Sequence, residues 1–104
     1  MVEIVWSEPA SRDLVILIEF VREQHSPNIA MRRLNQIATA VERLLVWPHY
    51  GQPVAHHRNL HRLYVRFAKC HVYYRLHARD TIAIVRLESE LQHPHLEKKS
   101  RRRS

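Results

Sequence analysis

One cysteine, one glycine and no long apolar run distinguish this sequence, and each shortage narrows what the chain can be. With Cys70 alone there is no internal disulfide, which suits a reducing compartment. Cys70 lies within an apolar alternation and reads as a small core residue, since nothing around it marks an activated thiol. Gly51, standing alone, excludes a glycine-rich phosphate-binding loop. The longest strongly apolar run, Leu14 to Ile18, is far short of the roughly 20 residues a membrane-spanning helix needs. The stretch from Met1 to Trp6 has no basic region ahead of its apolar residues and does not read as a secretory signal. The expectation is a cytoplasmic protein with no membrane partner.

The 104 residues suffice for a single domain with a thin core. The net charge of +7 misleads unless it is divided along the chain. Lys98, Lys99, Arg101, Arg102 and Arg103 supply five positive charges, and residues 1–97 then hold 12 basic against 10 acidic side chains, a balance of +2. The division expected is a domain over residues 1–92 and a basic tail over 93–104. Such a tail meets phosphates and acidic partners without selectivity. Nine histidines invite a metal reading, with His56, His57 and His61 clustered and His93 and His95 alternating. No CxxC or HExxH spacing accompanies them, so the expectation is no metal and no cofactor.

The alternation Val2-Glu3-Ile4-Val5-Trp6 predicts a first strand. Ser7 followed by Pro9 marks a helix start, and Ala10, Leu14, Leu17 and Val21 recur at helical spacing, with Ile18 widening the stripe. Ser26-Pro27 restarts the pattern, and Ala30, Leu34, Ile37, Val41 and Leu44 form a second stripe. Two amphipathic helices with so short a link fold back as an antiparallel hairpin. Trp47 to Pro53, with two prolines and the only glycine, reads as a loop. Strands follow over residues 60–67, 70–77 and 81–87. The fold class expected is α+β, an N-terminal strand and a helical hairpin packed on a mainly antiparallel sheet of about four strands.

The two central strands carry the functional argument. A turn at Ala68-Lys69 pairs Phe67 with Cys70, Val65 with Val72 and Leu63 with Tyr74, one continuous apolar face. The other face then carries Arg66 opposite His71, Tyr64 opposite Tyr73 and Arg62 opposite Arg75. A turn over residues 78–81 adds Arg86, facing Tyr73. Helices cover the apolar face and leave the Arg/Tyr/His face open. Like charges directly opposite destabilise a sheet, so Arg62 against Arg75 suggests an anionic partner. Tyrosines interleaved with arginines offer stacking surfaces.

The stretch Trp6-Ser7-x-Pro9-Ala10-x-x-Asp13-Leu14-x-x-Leu17-x-x-Phe20-Val21 resembles the opening of ParE-type toxins of the RelE/ParE group. Leu44-x-x-x-Pro48-x-x-Gly51 and the hairpin from Arg62 to Tyr74-Arg75 are similar to that group in order and spacing. The resemblance spans residues 2–87. It implies a toxin of a type II toxin–antitoxin pair, neutralised by an amphipathic, acidic antitoxin that wraps it. ParE-type members poison DNA gyrase, whereas RelE-type members cut messenger RNA on the ribosome. The gyrase-directed branch is favoured, because Lys69 is the only lysine before the tail and no tyrosine follows Tyr74. Glu88-Ser89-Glu90 also stands where RelE-type relatives carry basic residues. On this reading Arg62, Tyr64, Arg66, Tyr73, Arg75 and Arg86 bind the target and no catalytic residue is assigned. The alternative is an endoribonuclease in which Arg62, Arg75 and Arg86 clamp a phosphate and His61, His71 or His77 moves a proton, a task suited to histidine as a residue type. A third possibility is a non-toxic antitoxin-binding module.

Overall fold

The computed structural model describes residues 2–77 and 80–90; the basic tail lies outside these. Strand β1, Glu3–Trp6, leads into α1, Glu8–Gln24, and α2, Pro27–Glu42. A short 3-10 turn, Arg43–Leu45, precedes β2, Gln52–Pro53, then β3, Leu60–Val65, β4, Cys70–His77, and β5, Thr81–Ser89. The strands form one sheet in the order β1-β5-β4-β3-β2. β1 runs parallel to β5 and all other pairs are antiparallel. The α+β class expected from the sequence is observed. The sheet has five strands because Gln52–Pro53, inside the predicted loop, pairs with Arg62 and His61.

Both helices begin as the sequence indicates. Ser7 and Ser26 sit in extended conformation, and their hydroxyls accept from Ala10 N and Ile29 N, meeting donors that each first turn leaves unpaired. The helices pack on one face of the sheet. Ala10, Leu17 and Val21 from α1 and Ala30, Ile37 and Val41 from α2 are buried, together with Leu63, Val65, Val72, Tyr74, Ile82 and Ile84. Leu14 packs against this core while partly exposed.

The β3–β4 register differs from the sequence expectation. Residues Arg66–Ala68 wind into a 3-10 turn, and Lys69 closes it in the left-handed region at φ 52° and ψ 51°. β3 therefore stops at Val65, which pairs with Cys70 in place of Phe67. The register slides by two residues: Arg62 faces Tyr73, Tyr64 faces His71, and Arg75 faces Leu60. Arg62 and Arg75 are not opposed, so no like-charge repulsion across β3 and β4 calls for an anionic partner. A slide of two keeps every side chain on its original face, so the apolar and open faces survive. Phe67 does not join the core; it is 72% exposed at the turn.

Arg86 does face Tyr73, but by another route. His77 pairs with Thr81, one residue out of the expected phase, and a bulge between Tyr73 and Tyr74 restores it. Two residues of β5 there oppose one of β4, and the buried positions switch from Ile82 and Ile84 to Leu87 and Ser89. β5 also continues through Glu88 to Ser89, past the predicted end at Leu87.

Candidate functional site

No described element covers the face of the sheet opposite the helices. Arg62 and Tyr64 reach it from β3, His71, Tyr73 and Arg75 from β4, and Arg86 and Glu88 from β5. Cross-strand pairing makes two rows, Tyr64–His71–Glu88 and Arg62–Tyr73–Arg86. A cleft of about 600 Å³ opens between Tyr73, Arg75, Arg86 and Glu88, with His57 at its rim and Leu60 and Leu87 contributing apolar surface.

The three arginines are not equivalent. Arg86 Nε and Nη2 donate to the two carboxylate oxygens of Asp13 on α1, at 2.8 and 3.2 Å. These bonds raise the Arg86 pKa further above its already high ordinary value, keeping it cationic. Arg75 Nη1 donates to the carbonyl of Arg58 at 2.9 Å. The Arg62 guanidinium has no hydrogen bond or ion pair among the described residues, although its backbone lies in the ladder between Gln52 and Tyr73. Acidic side chains occupy the remaining corner. Tyr64 Oη donates to Glu90 at 2.7 Å, and Tyr73 Oη reaches Glu88 at 3.5 Å.

His71 lies in the middle of this arrangement. Its ring packs on Tyr64 at a centroid distance of 4.8 Å, and Nε2 stands 4.0 Å from a Glu90 oxygen. Burial, and then the Arg62 charge, push its pKa below the ordinary 6.5, against the opposing pull of Glu90 and Glu88. Its Nδ1 is buried without a hydrogen-bond partner among the described residues. Of the other histidines named as proton carriers, His61 is buried on the core side, stacked on Tyr74 at 5.3 Å. His77, at the end of β4, is exposed.

Thus Arg62, Tyr64, His71, Tyr73, Arg75 and Arg86 come together on one surface. Arg66 does not; it sits in the 3-10 turn and lines a groove beside α2. The sequence reading missed Asp13 as a partner of the sheet. Its position one helical turn after Pro9 was visible, but nothing in the sequence linked it to Arg86, 73 residues away. Cys70 is fully buried, and burial raises its thiol pKa to about 12, so it remains a protonated core residue. No group of three or more potential metal ligands occurs among the described residues.

A likeness to known proteins accompanies this geometry. The family model for the ParE toxin of type II toxin-antitoxin system, parDE, matches residues 4–94. A comparison with curated proteins returns no significant match. Among solved structures, the chromosomal ParDE TA system from P. aeruginosa superposes with a TM-score of 0.75 at 19% identity, covering 86% of this chain and 96% of that one. The E. coli DinJ-YafQ complex matches at a TM-score of 0.51 and 14% identity, over 88% of this chain and 97% of that one. At such identities the structural likeness speaks for the fold, while the family model covers most of the sequence. The chain belongs to the ParE toxin family of type II toxin–antitoxin systems.

Proposed function

We propose that this chain is a toxin that inhibits DNA gyrase through its open sheet face and is neutralised by a cognate antitoxin. The observation that carries the target assignment is the charge pattern of that face. A surface made to follow a polynucleotide backbone concentrates cations. Here Asp13 holds Arg86, and Glu88 and Glu90 stand among the tyrosines. Interleaved arginines, tyrosines and carboxylates suit a protein surface, where aromatic and arginine anchors dominate binding and charge pairing sets specificity. An antitoxin partner accords with family membership, and the P. aeruginosa structure is itself described as a ParDE toxin–antitoxin system.

A messenger-RNA endonuclease is the second reading, favoured by one feature: His71, with its pKa lowered, stands beside Arg62 on the same face. Brief induction of the chain alone in bacteria carrying a DNA-damage reporter separates the two. Growth arrest with a strong reporter signal supports gyrase inhibition and leads to supercoiling assays with the purified enzyme. Arrest with a silent reporter and newly cleaved transcripts supports the endonuclease. Normal growth would overturn both in favour of a non-toxic antitoxin-binding module.

A further inference from the structure

Glu90 follows directly on the end of β5, and its backbone places it. Its N–H donates to the Lys69 carbonyl at 3.0 Å, which ties this residue to the turn between β3 and β4. The carboxylate then meets groups from two other strands. Oε1 accepts from Tyr64 Oη at 2.7 Å, and Oε2 stands 4.0 Å from His71 Nε2. The Tyr64 and His71 rings pack on one another with centroids 4.8 Å apart, so the two groups are presented as a unit. Arg62 lies two residues before Tyr64 on the same face of β3, about 7 Å along the strand. Its exposed guanidinium has no counter-ion among the described residues, and its charge acts on His71.

A phenol, an imidazole and a guanidinium grouped in this way make a receptor for a planar anion. Glu90 fits that receptor only in part. Its bond to Tyr64 is short, but 4.0 Å from His71 is too long for a hydrogen bond, and Arg62 is left unused. The tether to Lys69 keeps its carboxylate at high local concentration, which compensates for the incomplete contacts. The side chain is also about one-third exposed, at 33%. It can therefore swing into water while the backbone bond to Lys69 holds. A carboxylate arriving without that tether is able to approach both His71 Nε2 and Arg62.

We infer that Tyr64, His71 and Arg62 form a carboxylate-binding position on the open face, and that the chain's own Glu90 occupies it until an acidic side chain of a protein target displaces it. The inference rests on the reading of the open face as the target surface. It adds the chemistry recognised at one point of that surface and an internal competitor for it. Glu88, paired across the strands with His71, disfavours a polynucleotide here. Successive phosphates would be carried past its carboxylate, whereas a single acidic side chain on a protein need not approach it.

The test titrates the full chain, isotopically labelled for NMR, with sodium acetate at constant ionic strength. A separate titration uses dimethyl phosphate as the phosphodiester probe. Acetate is expected to shift the His71 ring and Arg62 Nε signals. If Glu90 fills the position about nine-tenths of the time, Glu90→Ala tightens acetate binding about tenfold. Glu90→Gln, which keeps the shape and removes the charge, should tighten it in the same direction. Adding Arg62→Ala to Glu90→Ala should cancel the gain, with the thermal transition of each variant confirming its fold. Equal acetate affinity in the parent and both Glu90 variants would overturn the inference. So would shifts centred away from His71, or tighter binding of dimethyl phosphate than of acetate. Failure of the target reading registers separately, in bacteria, where Glu90→Ala is expected to arrest growth at lower induction than the parent. Unchanged arrest beside a tightened acetate site would overturn the displacement by a target and leave the carboxylate position standing.

Discussion

At the scale of single residues, Tyr74 and Gly51 show how one contact fixes a loop that no periodicity predicts. Tyr74 Oη donates to the Pro48 carbonyl at 2.9 Å and accepts from Gly51 N at 2.8 Å. Glycine is required there by closeness, not by backbone angle. A Cβ on residue 51 would lie 2.7 Å from Tyr74 Oη and 2.9 Å from the Arg62 carbonyl. Gly51→Ala is therefore expected to cost about 1–3 kcal/mol through overpacking. Tyr74→Phe should cost a similar ~1–3 kcal/mol, because it leaves the buried Gly51 N–H unpaired. Urea unfolding of each variant measures this, and an unchanged midpoint would refute the account of the loop.

His71 supplies a pH dependence at the same scale. Its folded-state pKa lies below that of the unfolded chain, mainly through burial and then through Arg62. As the pH falls below about 6.5, the unfolded chain takes up the proton first. The contribution is complete above that pH, declines as the pH drops toward the folded value, and changes no further below it. His71→Asn removes it. The stability lost between about pH 7.5 and pH 5.5 should then be smaller in the variant than in the parent. An equal loss in both would show that other groups govern this interval.

At the scale of elements, the junction of α1 with β5 explains how a short first strand suffices. β1 pairs with β5 only as far as Ile84. Beyond that point the start of α1 takes over the edge. Ser7 N donates to the Ile84 carbonyl at 2.9 Å, and Ser7 Oγ donates to the Val85 carbonyl at 3.1 Å. The same hydroxyl accepts from Ala10 N, so one side chain caps the helix and fastens it to the sheet. Asp13 Oδ2 then accepts from Leu87 N at 2.9 Å, just past the bulge. Asp13→Ala removes the acceptor of a part-buried N–H as well as the Arg86 partner, and should cost about 1–3 kcal/mol. Arg86→Ala removes only a largely exposed cation and should cost clearly less than Asp13→Ala. Hydrogen exchange at Leu87 distinguishes the two, with protection lost in the Asp13 variant and largely kept in the Arg86 variant.

At the scale of the whole molecule, the helices divide the surface into a helical side and an open sheet side with different charge arrangements. The cleft on the open side is lined by Arg75 and Arg86 together with Asp13 and Glu88, whereas the groove beside α2 is lined by Arg32, Arg43 and Arg66 with no acidic side chain, and Tyr64 of the open face borders it. If the open face engages the target, Arg62→Glu combined with Arg75→Glu should abolish growth arrest. The melting temperature should stay within about 4 °C of the parent, since surface substitutions cost little. Persisting arrest in that variant would remove the open face from the target interface. Among the described residues, no helix is long and apolar enough to cross a membrane.

The sequence by itself determined the helices, the caps at Ser7 and Ser26, and the division of β3 and β4 into an inner and an outer face. These follow from local rules: side-chain periods of about 3.6 and 2, and serine hydroxyls next to proline. That division survived an incorrect register because a slide of two residues preserves parity. Only the tertiary structure decided which outer residues are neighbours. The 3-10 turn at Arg66–Ala68 moved Arg62 from Arg75 to Tyr73, and the bulge in β5 restored Arg86 to Tyr73 after the pairing of His77 with Thr81 had displaced it. It also decided that Arg86 is bound to Asp13 and that Arg66 leaves the open face for the groove. Such pairings join residues distant in the chain, and packing selects among registers that local sequence leaves nearly equivalent in energy.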